Sequence, residues 1–148
     1  MAAPKGNRFW EVRSSHGRNP IFSEPEQLWE AACEYFEWNE LNPLWETKSY
    51  MYQGAPVQDQ IPKMRAMTRE ALCSFLGIST TCWDEYCKRE GFNAICTRVM
   101  EIIRRQKFEG AAAEFLNPSI IARDLGLADK QEHSGSINIT LNPDDLDI

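Results

Sequence analysis

The sequence predicts a mainly α fold: a helical body with one projecting β-hairpin and a separate C-terminal β-strand. Three observations predict it. Apolar residues recur every three or four positions over residues 23–42 and 68–127, the spacing of a buried helix face. Between those stretches, residues 45–61 alternate around a turn at Gln53-Gly54-Ala55. Ile137-Asn138-Ile139-Thr140-Leu141 alternates again near the end. A chain of 148 residues suits one core with appended segments. The expected division is a basic N-terminal arm over residues 1–22, a helical core and oligomerisation domain over 23–128, and a linker, strand and acidic tail over 129–148.

In chain order, the arm carries Pro4, Gly6, Gly17 and Pro20 and spaced rather than clustered bases, and reads either as anchored on the body through Phe9 and Trp10 or as a solvated, disordered terminus. A helix starts near Ser23, where Ser23-x-x-Glu26 reads as a capping box and Pro25 suits the first turn. Its buried stripe is Leu28, Trp29, Ala32, Cys33 and Phe36, and Asn42-Pro43 ends it. Glu26, Glu30, Glu34 and Glu37 run along another face, which reads as solvated surface turned away from phosphates. The hairpin follows, with Pro56 keeping its second strand at an edge.

Thr68 then caps a helix carrying Ala71, Leu72, Phe75 and Leu76. Gly77-Ile78-Ser79 breaks it, with Ile78 in the corner, and Ser79 caps a second helix carrying Cys82, Trp83, Tyr86 and Cys87. Two short helices joined by a tight glycine turn have the helix-turn-helix pattern. Thr80 and Thr81 would open the second helix, where base edges are read, and Lys88 and Arg89 lie at its far end. Asp84 and Glu85 on the same helix would repel phosphates, so a purely structural helical hairpin stands as the alternative.

A longer helix is expected over residues 92–116, with Phe92, Ile95, Val99, Ile102 and Gln106 on one stripe and Ile103 widening it. Gly110-Ala111-Ala112-Ala113 has almost no side-chain bulk, so it suits close helix packing within or between subunits. Asn117-Pro118 opens a last short helix, with Ile120, Ile121, Leu125 and Leu127 as its apolar face and Gly126 as its stop. A lone strand at 137–141 cannot satisfy its own ladder hydrogen bonds, so it pairs with the hairpin or with copies of itself. Asp144, Asp145, Leu146, Asp147 and Ile148 end the chain as an acidic peptide with two apolar handles, read either as a docking peptide or as a solvated tail.

Net charge is −6, yet its distribution is uneven. Residues 1–20 hold Lys5, Arg8, Arg13 and Arg18 against one acid, and residues 63–110 hold nine bases against six acids. Residues 21–62 hold eight acids against one base, and residues 129–148 five against one. Nucleic-acid contact is therefore expected from the arm and the centre, where Lys63, Arg65 and Arg69 join Lys88 and Arg89.

The five cysteines are an odd count without a CxxC pair, and His16 and His133 lie far apart, so reduced core thiols are expected rather than disulfides or a metal site. No apolar run is long enough to span a bilayer, and the first residues lack the apolar core of a secretory signal, so a cytoplasmic setting is expected. No phosphate-binding loop or activated nucleophile is present, so neither an enzyme nor a cofactor is expected.

Several segments in one order resemble a known family. Lys5-Gly6-Asn7-Arg8-Phe9-Trp10-Glu11 with Arg13-Ser14-Ser15-His16-Gly17-Arg18-Asn19-Pro20 comes first. Glu34-Tyr35-Phe36-Glu37-Trp38 with Asn42-Pro43-Leu44-Trp45 follows, then Lys63-Met64-Arg65-Ala66-Met67-Thr68. Gln106-Lys107-Phe108 through Gly110-Ala111-Ala112-Ala113 to Ile120-Ile121-Ala122-Arg123-Asp124-Leu125-Gly126-Leu127 closes the match. Over about residues 1–128 the chain resembles the small terminase subunits of headful-packaging Salmonella-type phages. The resemblance implies a ring of copies in the host cytoplasm that recognises double-stranded viral DNA. Such a ring brings the DNA to, and regulates, a large subunit holding the ATPase and nuclease. It also implies that Ile137, Ile139 and Leu141 close an intersubunit barrel, with Asp144 to Ile148 facing the large subunit. Relatives of this kind end in a basic DNA-binding tail, whereas this chain ends acidic, so a tail-based mechanism does not transfer. The rival readings are a dimeric helix-turn-helix regulator on a palindromic operator and an adaptor that binds only proteins.

Overall fold

The computed structural model describes residues 22–128 and 135–136. Among them the fold is mainly helical with one hairpin. The elements are α1 (Pro25–Leu41), β1 (Leu44–Tyr52), β2 (Ala55–Lys63), α2 (Arg69–Leu76), α3 (Thr80–Lys88), α4 (Phe92–Ala112) and α5 (Pro118–Asp124). The expected strand at residues 137–141 and the acidic tail lie outside the described residues, as do residues 1–21 of the arm.

The capping box of α1 sits one residue later than expected. Glu24 is the N-cap and Gln27 the third helical residue. The Gln27 Oε1 accepts hydrogen bonds from the Ser23 and Glu24 backbone N–H groups at 3.1 and 3.3 Å and from the Ser23 hydroxyl at 3.1 Å. A glutamine amide makes the reciprocal bond as well as a glutamate does, which moved the box. The buried stripe is Leu28, Ala32, Tyr35 and Asn39. Trp29, Cys33 and Phe36, expected on that stripe, are only half-buried at its margin. Tyr35 takes the interior place because its hydroxyl accepts the Thr68 N–H at 3.2 Å, so its polar end is satisfied inside.

The hairpin is an antiparallel pair running from Leu44↔Lys63 to Tyr52↔Ala55. Gln53 and Gly54 have φ of 50° and 76°. Positive φ at both central residues is the turn whose twist matches the strands, and it sets the register.

The helix pair α2–α3 is built as its capping residues require. The Thr68 hydroxyl accepts from Ala71 N–H at 3.0 Å and that of Ser79 from Cys82 N–H at 3.1 Å. Gly77 at φ 72° ends α2, and the Ile78 N–H bonds to the Cys73 carbonyl at 3.0 Å. Leu72, Cys73, Phe75 and Leu76 of α2 meet Trp83 and Tyr86 of α3 in the core, with Ile78 half-buried against them.

α4 crosses beneath α1, α3 and α5. Its buried line is Phe92, Cys96, Val99, Ile103, Lys107 and Gly110. Ile95, Ile102 and Gln106, expected at the centre of the stripe, flank it. Three neighbours pack around α4, so the buried arc is wider than one apolar stripe. The helix also stops at Ala112, short of the expected Leu116. Glu114 adopts φ 61°, and the N–H groups of Phe115 and Leu116 return to the Gly110 carbonyl at 2.8 and 3.0 Å. Asn117 caps α5 through the Ile120 N–H at 3.1 Å, and Gly126 at φ 69° follows it. Within α5 only Ile121 is buried, and Ile120 is 64% exposed. Lys107 and Asp124 tie α5 to α4 through a 2.6 Å ion pair.

Candidate nucleic-acid interface

The described fold begins with a docked residue. Phe22, expected as the end of the arm, is 6% exposed. Its backbone N–H donates to the Tyr86 hydroxyl at 3.1 Å, and its ring meets that of Tyr86 edge-on at 5.8 Å. Tyr86 lies near the C-terminal end of α3, and the Arg89 guanidinium sits 4.7 Å over its ring. Lys88 is exposed one residue earlier. Phe22, which follows the segment holding Lys5, Arg8, Arg13 and Arg18 in the chain, is thus seated on Tyr86 beside Arg89; those four residues lie outside the described ones. An aromatic residue just before a helix cap was the only sequence signal of this junction.

The other candidates are spread apart and partly engaged. Lys63, at the end of β2, pairs with Glu46 at 3.1 Å. Arg65 donates from Nε to the Asn42 carbonyl at 2.7 Å and lies 5.2 Å over the Trp38 ring. Its partial burial lowers its pKa from the ordinary arginine value. Arg65 thus satisfies a carbonyl where α1 ends. Arg69 lies between Glu70 and Asp84, at 3.6 and 3.5 Å. Thr80 and Thr81 open α3 at the end away from Lys88, about 10 Å along the axis. The outer face of α3 carries Thr81, Asp84, Glu85 and Lys88, all exposed. It has no cationic excess, because Asp84 and Glu85 outweigh Lys88 there.

Gly110 is buried against its own chain. A Cβ there would lie 2.8 Å from the Leu116 Cδ1 and 2.9 Å from the end of Met64. Ala111 is half-buried, and Ala112 and Ala113 are exposed at the helix end. Ile137, Ile139, Leu141 and Asp144 to Ile148 lie outside the described residues.

Burial holds two of the thiols protonated at neutral pH. Burial pushes Cys73 up to about 11. Burial also raises Cys96, with its hydrogen bond to Cys87 adding to the shift. A thiol held protonated at neutral pH is a poor nucleophile and a poor metal ligand. Among the described residues no group of three or more His, Cys, Asp or Glu could hold a metal ion. No described helix is long and apolar enough to cross a membrane.

The family described as DNA-packaging protein gp3 matches residues 17–133. The small terminase subunit of Salmonella phage P22 is 57% identical over 132 residues, which is 89% of this chain and 82% of that protein. The matched region spans every described helix and the hairpin. The chain belongs to the family of DNA-packaging gp3 proteins.

Proposed function

We propose that this chain is the small subunit of a phage packaging terminase, a recognition and regulatory component without catalysis of its own. Identity of 57% over 132 residues to a small terminase subunit, with the gp3 family matching residues 17–133, carries the reading. In the proposed mechanism Lys5, Arg8, Arg13 and Arg18 anchor viral DNA phosphates. They work from a root at Tyr86 that Arg89 flanks, with Lys88 exposed on the outer face of the same helix end. The acidic outer face of α3 argues for this division of labour, since that helix offers phosphates little attraction. If α2 and α3 act as a helix-turn-helix, Thr80 and Thr81 are the residues that meet base edges. Lys63, Arg65 and Arg69 add long-range positive potential more than direct contacts, being held by Glu46, Trp38 and Asp84.

Several copies in a ring multiply a weak contact through effective concentration. Ile137 to Leu141 is proposed to close a barrel between subunits. Ala111 to Ala113 are proposed to lie at a subunit contact. Asp144 to Ile148 are proposed to engage the large subunit in the host cytoplasm.

The test is DNA binding by fluorescence anisotropy across a salt series. Replacing Arg8, Arg13 and Arg18 together by Ala should abolish binding near physiological salt and flatten the log–log salt slope by about three units per engaged copy. Unchanged affinity and slope would remove the arm from the mechanism. A twofold-symmetric footprint from a dimer would favour an operator-binding regulator instead.

A further inference from the structure

A mostly apolar pocket of about 380 Å³ opens between the C-terminal end of α3 and the first half of α4. Cys87 of α3 and Cys96 and Met100 of α4 line it, so three sulfur-bearing side chains meet there. Cys87 and Met100 are only half-buried, and exposed Asn93, Glu101 and Arg104 complete the lining. Thiol and thioether sulfurs are soft and polarisable, and an aromatic ring is a favoured neighbour for them. The volume falls at the small end of the ~300–1,000 Å³ of clefts that hold a compact ligand, and one large aromatic side chain is such a ligand.

The chain itself supplies the ring, on three grounds. Of the segments outside the described residues, 129–134 and 137–148 hold no Phe, Tyr or Trp, whereas 1–21 hold Phe9 and Trp10. The arm also starts close by. Phe22 is held by Tyr86, the residue next to Cys87, so around a helix about 10–12 Å wide its root lies within roughly 15 Å of the pocket. Trp10 stands twelve residues before Phe22, a length of chain that spans up to about 40 Å, so the arm reaches the pocket with slack. Charge favours the arm as well. On the outer face of α3 Asp84 and Glu85 outweigh Lys88, which attracts a segment with four bases against one acid and repels the acidic tail. Of the two rings Trp10 suits the site better, because a buried indole N–H needs an acceptor and Glu101 stands beside the sulfurs.

We propose that Trp10 seats in this sulfur-lined pocket of its own chain, so that residues 11–21, fixed at both ends, carry Arg13 and Arg18 past the outer face of α3. The seat stands on the pocket and the chain; its consequence for DNA rests on the reading of the arm given above. Arg13 and Arg18 then offset Asp84 and Glu85, and Lys88 is left to attract phosphate. The arm thus corrects the charge of a helix that by itself offers phosphates little. A segment held at both ends also has less freedom to lose when DNA binds than one held only at Phe22.

The experiment uses the full-length chain and the rate at which N-ethylmaleimide alkylates each cysteine, read by peptide mass mapping. Trp10→Ala should speed Cys87 about tenfold, which corresponds to a pocket filled in about nine copies of ten. Cys33, half-buried on α1, is the internal reference and should change less than twofold. Trp10→Phe should keep most of the protection. A photo-crosslinking residue placed at position 10 should join to residues 87–104 in a product with the mass of one denatured chain. Equal Cys87 rates in the wild type and Trp10→Ala would overturn the seat. Crosslinks found only at the mass of two chains would overturn its assignment to the chain's own arm. In DNA binding, Trp10→Ala should weaken affinity about threefold or more with the salt slope unchanged, because it removes a seat and no phosphate contact. Unchanged affinity would overturn the positioning of Arg13 and Arg18. If instead the triple arginine variant binds DNA as the wild type does while Cys87 stays protected, the DNA reading of the arm falls and the seat stands.

Discussion

Replacing Tyr86 by Phe isolates the bond that seats the start of the described fold. The hydroxyl accepts the Phe22 backbone N–H at 3.1 Å between residues 64 apart in sequence. Phe22 and Tyr86 are 6% and 4% exposed, so water does not readily replace the lost acceptor. Stranding a buried N–H costs about 1–3 kcal/mol, partly offset because the hydroxyl no longer has to be desolvated. The expected loss is about 1.5 kcal/mol, roughly a tenfold rise in the unfolded fraction. Phe22→Ala removes the ring as well and should cost about 3 kcal/mol, the low end for a core phenylalanine because the site lies at the edge of the core. Urea unfolding at fixed protein concentration measures both, with the slope against urea unchanged. The double variant should fall short of the sum by about 1 kcal/mol, because Phe22→Ala already loosens the N–H that Tyr86 accepts. In DNA binding, Phe22→Ala should lower affinity and leave the salt slope unchanged, since it frees the root without removing a phosphate contact. A Tyr86→Phe loss under about 0.3 kcal/mol, or strict additivity, would refute the docked root.

Three further outcomes are expected. Asp124→Ala should cost about 2 kcal/mol in urea unfolding, because Lys107 has a side chain only 11% exposed and would lose its carboxylate, while the 49% exposure of Asp124 keeps the effect below that of a fully buried pair. Glu114→Gly should stabilise by about 0.5–1 kcal/mol, read as a higher thermal midpoint, because φ 61° strains any side chain and not glycine. Stability should fall as pH rises above about 9. Buried Cys73 is raised to about 11, so the native state holds its proton where the unfolded chain has released it. That contribution is complete below the unfolded value and is lost on the way to the folded one; Cys73→Ala should shallow the alkaline slope, and an unchanged slope would show that Cys73 is not its source. In the same protein, Cys73 and Cys96 should resist a thiol reagent at neutral pH far longer than the less buried cysteines.

Much of the local structure was legible because it depends on near neighbours in the chain. Thr68 and Ser79 cap α2 and α3 through N–H groups three residues away, so residue type and spacing suffice to place them. Gly77 and Gly126 end helices at positive φ for the same local reason. The alternation of residues 45–61 and the Gln53-Gly54 turn specify the hairpin, which the structure extends by one residue at the start and two at the end. Besides the α1 cap and the end of α4, the readings that shifted were those of which residues of α1 and α4 face inward. The centre of the α4 stripe moved from Ile95, Ile102 and Gln106 to Cys96, Ile103 and Lys107, because α1, α3 and α5 close on it from several sides.

By itself the sequence determined the helical class, the hairpin and its turn, the caps of α2, α3 and α5, and the family, since order and residue type carry all of these. Only the tertiary structure decided that Phe22 is core rather than arm. It also decided that Arg65 and Arg69 are held by Trp38 and Asp84. Those facts depend on residues 15 to 64 positions apart meeting in space. Periodicity along a chain reports that a face exists, and only packing reports what lies against it.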